Sequence, residues 1–157
     1  MKSNIKIAGG QGFYGDSPMA AMAIAMEKGT DYIIHDALAE LTLSILQKDR
    51  MKDPSMGYAR DIEFMAKFLY PLAFKNGIKI VTNSGGLNPI NAAKKVAEIL
   101  QNQGVKGVKI AAIYGDDLMP QLQEIQDDGN PLLNMDSNIP LSEKKLQPTH
   151  ANVYVGS

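Results

Sequence analysis

A chain of 157 residues with 45% apolar and 21% charged side chains has the length and composition of a globular α/β-sized unit, which excludes disordered, collagen-like and coiled-coil proteins. It has no Cys, so a disulfide scaffold, a thiolate zinc site and cysteine catalysis are excluded. A net charge of −1 with Arg only at positions 50 and 60 argues against a nucleic-acid protein.

The charge is unevenly spread. Residues 51–110 hold nine basic and four acidic groups, whereas residues 111–157 hold two basic and seven acidic. Such segments read as complementary solvated faces, or as a basic middle that receives a small anionic substrate beside a carboxylate-lined edge.

Strand and helix signals alternate in chain order. Asn4-Ile-Lys-Ile-Ala8 is short, β-branched and ends in Gly, which predicts a first strand. Asp16-Ser-Pro18 then opens a predicted helix to about Lys28, stopped by Gly29. Its apolar run, Pro18–Met26, is far shorter than the roughly 20 residues of a membrane span and reads as a buried helix. No membrane association is expected, and the missing Cys and export signal fit a cytoplasmic protein.

Asp31-Tyr-Ile-Ile-His35 predicts the second strand. Asp36 is expected to cap a helix whose apolar face carries Leu38, Leu41, Ile45 and Leu46. Lys52-Asp-Pro-Ser-Met-Gly57 is a break. Tyr58–Phe74 reads as a helix with Ile62, Met65, Leu69 and Leu72 on one stripe and a kink or restart at Pro71. A third strand is predicted at Ile78–Thr82, a helix at Ile90–Gln103, a fourth strand at Gly107–Tyr114, a helix opening at Gly115-Asp-Asp117, and a fifth strand at Ala151–Gly156. Residues 128–150, with Pro131, Pro140 and Pro148, read as an irregular loop or lid. The expected architecture is one α/β domain over 1–157: a Rossmann-like, open, mainly parallel sheet of about five strands with helices on both faces.

In such a sheet, ligands sit beyond the carboxyl ends of the strands. Three constellations lie there. Gly10-x-Gly12-x-x-Gly15 matches the dinucleotide fingerprint, and Asp36 follows at the distance of a ribose-binding acid. This suggests NAD(P), but Asp16 and the bulky Phe13 and Tyr14 weaken it, because a carboxylate at a helix start competes for the N–H groups a diphosphate needs. A turn requiring positive φ, with Asp16 as cap, is the alternative.

In the second constellation, Asn83, Ser84, Gly85, Gly86 and Asn88 form a loop suited to a carboxylate, phosphate or thioester carbonyl. Asn88 followed by Pro89 also reads as a helix cap. Ser84 lacks the surrounding pattern of a nucleophile. The third constellation is Asp36, Glu40, Asp116 and Asp117, which could divide acid and base roles or, as Asp36, Glu40 and Asp116, hold Mg²⁺; helix capping is the plainer reading. His35 could serve as a general base, a satisfied core or strand-end histidine being the plainer account, and Met19, Met22 and Met26 read as core filler.

Taken together, Gly12-Phe-Tyr-Gly-Asp16, Asp36-Ala-Leu-Ala-Glu-Leu-Thr42, Lys52-Asp-Pro followed by Gly57-Tyr58, Thr82-Asn-Ser-Gly-Gly-Leu-Asn-Pro89, Gly115-Asp-Asp117 and Ala151-Asn-Val-Tyr-Val-Gly156 resemble the acyclic terpene utilisation (AtuA) family, in order and over almost the whole chain. The resemblance implies catabolism of acyclic terpenes and related branched acyl-CoA or carboxylate compounds. It also implies the N-terminal part of a longer architecture, whose other half, a partner subunit or a second copy would complete the site. A CoA thioester is then the expected substrate. Asp36, Asp116 and Asp117 are the candidate acid–base residues of lyase- or hydratase-type chemistry. Gly10, Gly12, Tyr14, Gly15, Asp16 and the Asn83–Asn88 loop are the candidate ligand contacts. An NAD(P)-dependent oxidoreductase and a non-catalytic scaffolding subunit are the competing readings.

Overall fold

The computed structural model describes residues 4–144 and 146–153. The chain divides into two compact units, residues 1–113 and 114–157.

The first unit is mixed α/β. Strands β1 (Ile7–Gln11), β2 (Tyr32–His35) and β3 (Lys79–Thr82) form a parallel sheet in the order β1-β2-β3. The register sets Ala8 beside Ile33 and Ile33 beside Ile80. It slips between Gly9 and Gln11, so Gln11 stands opposite His35. Helix α1 (Met19–Met26) packs on β1 and on α4 (Tyr70–Lys75), α4 packs on β3, and α3 (Asp61–Phe68) packs on α4 and on α5 (Pro89–Asn102). Ala21, Ile33, Ile62, Met65, Leu69, Ala73 and Val96 share one buried core.

Period-two alternation explains which strand residues join that core. Ile33 and His35 point inward. Their neighbours on the opposite face stay in solvent: Ile7 is 62% exposed, Ile34 40% and Val81 51%. Parallel sheets normally bury both faces. Here the strands advance in one direction across the sheet, an order in which right-handed crossovers place helices on one side, and α1 and α4, which pack on β1, on β3 and on each other, share that side. The expected five strands with helices on both faces are thus replaced by three strands with one covered face.

The predicted fourth strand is the main correction. Among the described residues, 107–114 make no ladder pairing. Gly104 and Gly107 turn the chain through left-handed conformations; Val108 packs against the core, but Ile110, Ile113 and Tyr114 remain exposed, so little burial holds the segment against β3's edge. Of the predicted fifth strand, the described part, residues 151–153, makes one antiparallel bridge, Asn152 to Asp117; residues 154–156 lie outside the described ones.

The helix expected to be capped by Asp36 starts later, as α2 (Glu40–Lys52), with Ala39 before it. It buries Thr42, Leu43 and Leu46, not Leu41 and Ile45. Leu43 and Leu46 meet Leu87 in a small second core, and that contact chooses the buried face. Pro71 acts as expected. It separates α3 from α4, and the Lys67 carbonyl, which an N–H at position 71 would have served, instead accepts from Gln103 Nε2 at 2.8 Å.

The second unit carries a 3₁₀ turn at Met119–Gln121, helix α6 (Leu122–Asp127) and another 3₁₀ turn at Leu141–Glu143. Within the irregular 128–150 stretch, a Leu133–Pro140 bridge closes a turn. There the Asn134 side chain accepts from the Asp136 and Ser137 N–H groups.

Candidate functional site

Because the three strands are parallel and adjacent, their carboxyl ends deliver three loops to one edge: residues 12–18, 36–39 and 83–88. Asp36 lies in the extended stretch before α2. It is therefore neither a helix cap nor one helical turn from Glu40. It is exposed, and its Oδ1 accepts from Asn83 Nδ2 at 2.7 Å. Asn83 is fixed in turn, because its Oδ1 accepts the Ala37 N–H at 2.7 Å. The result is a carboxylate held at a strand end by a clamped amide, one oxygen bonded and the group open to solvent. Glu40 is exposed, and no third His, Asp or Glu joins Asp36 and Glu40 as a metal cluster among the described residues of this unit.

The glycine fingerprint has another job. Asp16 Oδ2 accepts the Gly12 N–H at 3.0 Å and its Oδ1 the Ser17 N–H at 2.7 Å. Asp61 Oδ2 accepts the Gly15 N–H at 3.1 Å. Two carboxylates thus occupy the donors a diphosphate would use. Gly15 has φ +84, the turn geometry expected of it. Gly10 is needed for a close approach: a Cβ there would lie 2.8 Å from His35 Cε1. Tyr14 is half-buried, and Phe13 is in solvent.

The Asn83–Asn88 loop is likewise self-satisfied. Ser84 is buried, its Oγ 2.7 Å from Thr82 Oγ1, which also accepts its N–H. The N–H groups of Gly86, Leu87 and Asn88 bond to the carbonyls of Asn83, Gly57 and Gly85. Asn88 caps α5 through the Asn91 N–H, while its Nδ2 donates to the Met56 carbonyl at 2.9 Å and also to those of Pro54 and Ser55. A Cβ on Gly85 would meet Pro89, and one on Gly86 would meet Leu46 Cδ1 and the Gly57 carbonyl. These glycines permit close packing; they form no open cradle of N–H groups.

Between the end of α2 and the start of α3 lies an open cavity of about 510 Å³ lined by Asp49, Lys52, Asp53, Met56, Arg60 and Glu63. Its size suits a small metabolite. Arg60 pairs with Asp49 at 3.2 Å. Glu63 accepts from the Tyr58 hydroxyl, whose pKa is pushed up to about 12, first by burial and then by the Glu63 charge. Asp53 accepts from the Ser55 hydroxyl and N–H, and these bonds hold its carboxyl below the usual range.

A second polar group lies under the Gly12–Asp16 loop, and the sequence reading missed it. Gln11 is 6%, His35 1% and Tyr70 8% exposed. Gln11 Nε2 donates to Asp61 Oδ2 at 2.5 Å, and the His35 and Tyr70 rings stand 6.5 Å apart. Five buried atoms here have no hydrogen-bond partner among the described residues: Gln11 Oε1, both His35 ring nitrogens, Asp61 Oδ1 and the Tyr70 hydroxyl oxygen. Burial lowers the His35 pKa, partly opposed by the Asp61 charge; burial and Asp61 both raise that of Tyr70. The expected satisfied histidine is buried but not satisfied. The signal in the sequence was parity: His35 sits two residues after Ile33, on the core face.

Asp116 and Asp117 belong to the second unit. Asp116 Oδ2 accepts from Asn152 Nδ2 at 3.0 Å, and Asp117 Oδ1 accepts the Met119 N–H two residues on at 3.0 Å, a local turn bond.

In parallel α/β units, ligands bind beyond the carboxyl ends of the strands, and here that edge carries the loops described above. Residues 5–157 match the family described as Acyclic terpene utilisation family protein AtuA, and the chain belongs to that family. Neither a curated protein nor a solved structure matches it. Among the described residues, no helix is long and apolar enough to cross a membrane.

Proposed function

We propose that this chain supplies the ligand-binding edge of an enzyme that breaks down acyclic terpenes or related branched acyl-CoA or carboxylate compounds. The family match supports the pathway. The observation that carries the site is Asp36: an exposed carboxylate held at the end of the middle strand by Asn83, itself clamped to the Ala37 N–H. Fixing a side chain before a ligand arrives lowers the ordering cost of binding and sets the angle for proton transfer. Asp36 is the acid–base candidate of this reading, with Asn83 as its positioning residue. Asp116 and Asp117 remain candidates only where they can leave their present hydrogen bonds. The internal use of the Gly12, Gly15 and Ser17 N–H groups speaks against NAD(P).

The test is a thermal-shift panel of the chain with CoA, branched acyl-CoAs, branched carboxylates, NAD(P) and Mg²⁺. A ligand at about 100 times its Kd adds roughly 2.7 kcal/mol. Stabilisation by an acyl-CoA or carboxylate that falls at least about tenfold in affinity in Asp36→Asn supports the reading. Stabilisation by NAD(P) alone, or an Asp36→Asn variant that binds normally, overturns it.

A second reading, a binding subunit completed by another chain, is favoured by the apolar open face around Ile7, Ile34 and Val81. It expects the chain to sediment as more than a monomer, and Val81→Asp to dissociate it.

A further inference from the structure

The cluster under the Gly12–Asp16 loop carries a hydrogen-bonding imbalance. Gln11 Oε1 and Asp61 Oδ1 only accept. A neutral imidazole has one donor and one acceptor, and the Tyr70 hydroxyl has one donor and an acceptor oxygen. With the second N–H of Gln11 Nε2 counted, three donors face four acceptor atoms, and among the described residues none of those acceptors has a partner. The Asp61 charge is met only by neutral donors, Gln11 Nε2 and the Gly15 N–H. In the packed arrangement these donors and acceptors do not meet one another, and five buried atoms stay unbonded among the described residues. Buried acceptors left unbonded cost about 1–3 kcal/mol each, so the arrangement favours a group that brings O–H or N–H.

We propose that Gln11, His35, Asp61 and Tyr70 form a binding site for a compact donor head group, a hydroxyl or an ammonium, on a small organic ligand. Gly10 makes the site possible, because any side chain there would strike His35. Four elements present the groups: β1 and β2 at their carboxyl ends, α3 through Asp61 and α4 through Tyr70. Asp61 stands in the first turn of α3, where the helix dipole favours its charge. The loop above it is exposed at Gly12, Phe13 and Gly15 and is anchored to the cluster by the Gly15 N–H to Asp61 bond, so opening that bond uncovers the site. Bound there, a hydroxyl donates to Asp61 Oδ1 or to the unprotonated imidazole nitrogen and accepts from Tyr70. An ammonium donates to Asp61, Gln11 and His35 together.

The chain has two histidines, which makes a direct readout simple. With ¹³C-labelled histidine, the Cε1–H signals of His35 and His150 are followed while the intact chain is titrated with 3-methylbutan-1-ol, 3-methylbutan-1-amine and 3-methylbutanoate. These share one skeleton and differ in the head group. The expected result is a saturable shift of the His35 signal with the alcohol or the amine, and none with the carboxylate. Tyr70→Phe, which removes only the hydroxyl, weakens that binding about fivefold or more. A response to the amine that falls at least about tenfold in Asp61→Asn assigns an ammonium; a response confined to the alcohol assigns a neutral hydroxyl. A His35 signal that no probe moves, or that the carboxylate moves equally, overturns the proposal. The wild-type titration decides this even where a variant fails to fold. The site does not depend on the Asp36 reading, which is tested by acyl-CoA stabilisation, so either can fail alone.

Discussion

The Asn83–Asn88 loop and the Gln11–His35–Asp61–Tyr70 cluster are both polar, both lie at the carboxyl edge, and differ in one respect. In the loop, nearly every donor and acceptor is engaged: Ser84 with Thr82, Asn88 with Asn91 and the Met56 carbonyl, Gly86 with Asn83. In the cluster, five buried atoms have no partner. Polar residues in a strand-to-helix turn build the turn first, and only what remains unbonded is free for a ligand. Satisfaction, more than polarity, separates scaffold from site.

The largest expected effect tests the scaffold side. Gly86→Ala places a Cβ against Leu46 Cδ1 and 2.8 Å from the Gly57 carbonyl, at φ +52. It should cost about 2–4 kcal/mol in urea unfolding, with Leu46 displaced. A loss under about 0.5 kcal/mol would show that the loop is not packed as described.

Asn88→Ala removes a helix cap and the clamp on residues 54–56. A loss of about 1–2 kcal/mol is expected. Asn88→Asp keeps the acceptor and drops the Nδ2 donors, so it should fall between wild type and Ala.

On the cluster side, stability should depend on pH through His35. Burial holds its folded pKa below the ordinary 6.5, so between those two values the unfolded chain binds more protons. Stability is therefore full above about pH 6.5 and falls as the pH drops toward the folded pKa. Asp61 and Tyr70 are the titratable groups acting on His35 from the helices; Tyr70, raised further above its ordinary value, stays neutral throughout. The urea midpoint should drop between pH 7.5 and pH 5.5, and the drop should shrink in His35→Gln. An equal drop in that variant would place the titration elsewhere.

The smallest effect is the sharpest contrast. Tyr70→Phe deletes a buried hydroxyl that bonds to nothing. The free protein should lose no stability, and should gain up to about 1 kcal/mol. Removing a satisfied hydroxyl, as in Ser84→Ala, should cost about 1 kcal/mol or more, because Thr82 then loses its partner. If Tyr70→Phe is the more damaging of the two, the distinction between site and scaffold fails.

Much of the first unit was readable from local chemistry. Asn88-Pro89 announces a helix start because an amide can accept an early N–H and Pro has none to waste. Pro71 breaks a continuous apolar stripe for the same steric reason anywhere it occurs. The second and third strands and the buried positions Ile62, Met65 and Leu69 follow from periodicity, whereas β1 spans Ile7–Gln11, three residues past the expected Asn4–Ala8, because its pairing with β2 carries the strand through Gly9 and Gly10. What periodicity could not show was which apolar face of α2 meets Leu87, because both faces are apolar and only the partner chooses. Nor could it show whether Gly107–Tyr114 pairs, since a strand is made by its neighbour. The one-sided sheet has the same origin: strand order and crossover hand decide it, and neither is written in a local pattern.

The sequence by itself thus determined the family, the alternating strands and helices, and the polar character of the strand ends, because spacing, caps and turn residues act within a few positions. Only the tertiary structure decided that Asp16 and Asp61 occupy the glycine loop, that Asn83 clamps Asp36, and that Gln11, His35, Asp61 and Tyr70 meet in one buried place. Those residues come from four separate elements, and hydrogen-bond satisfaction between them exists only once the chain has packed.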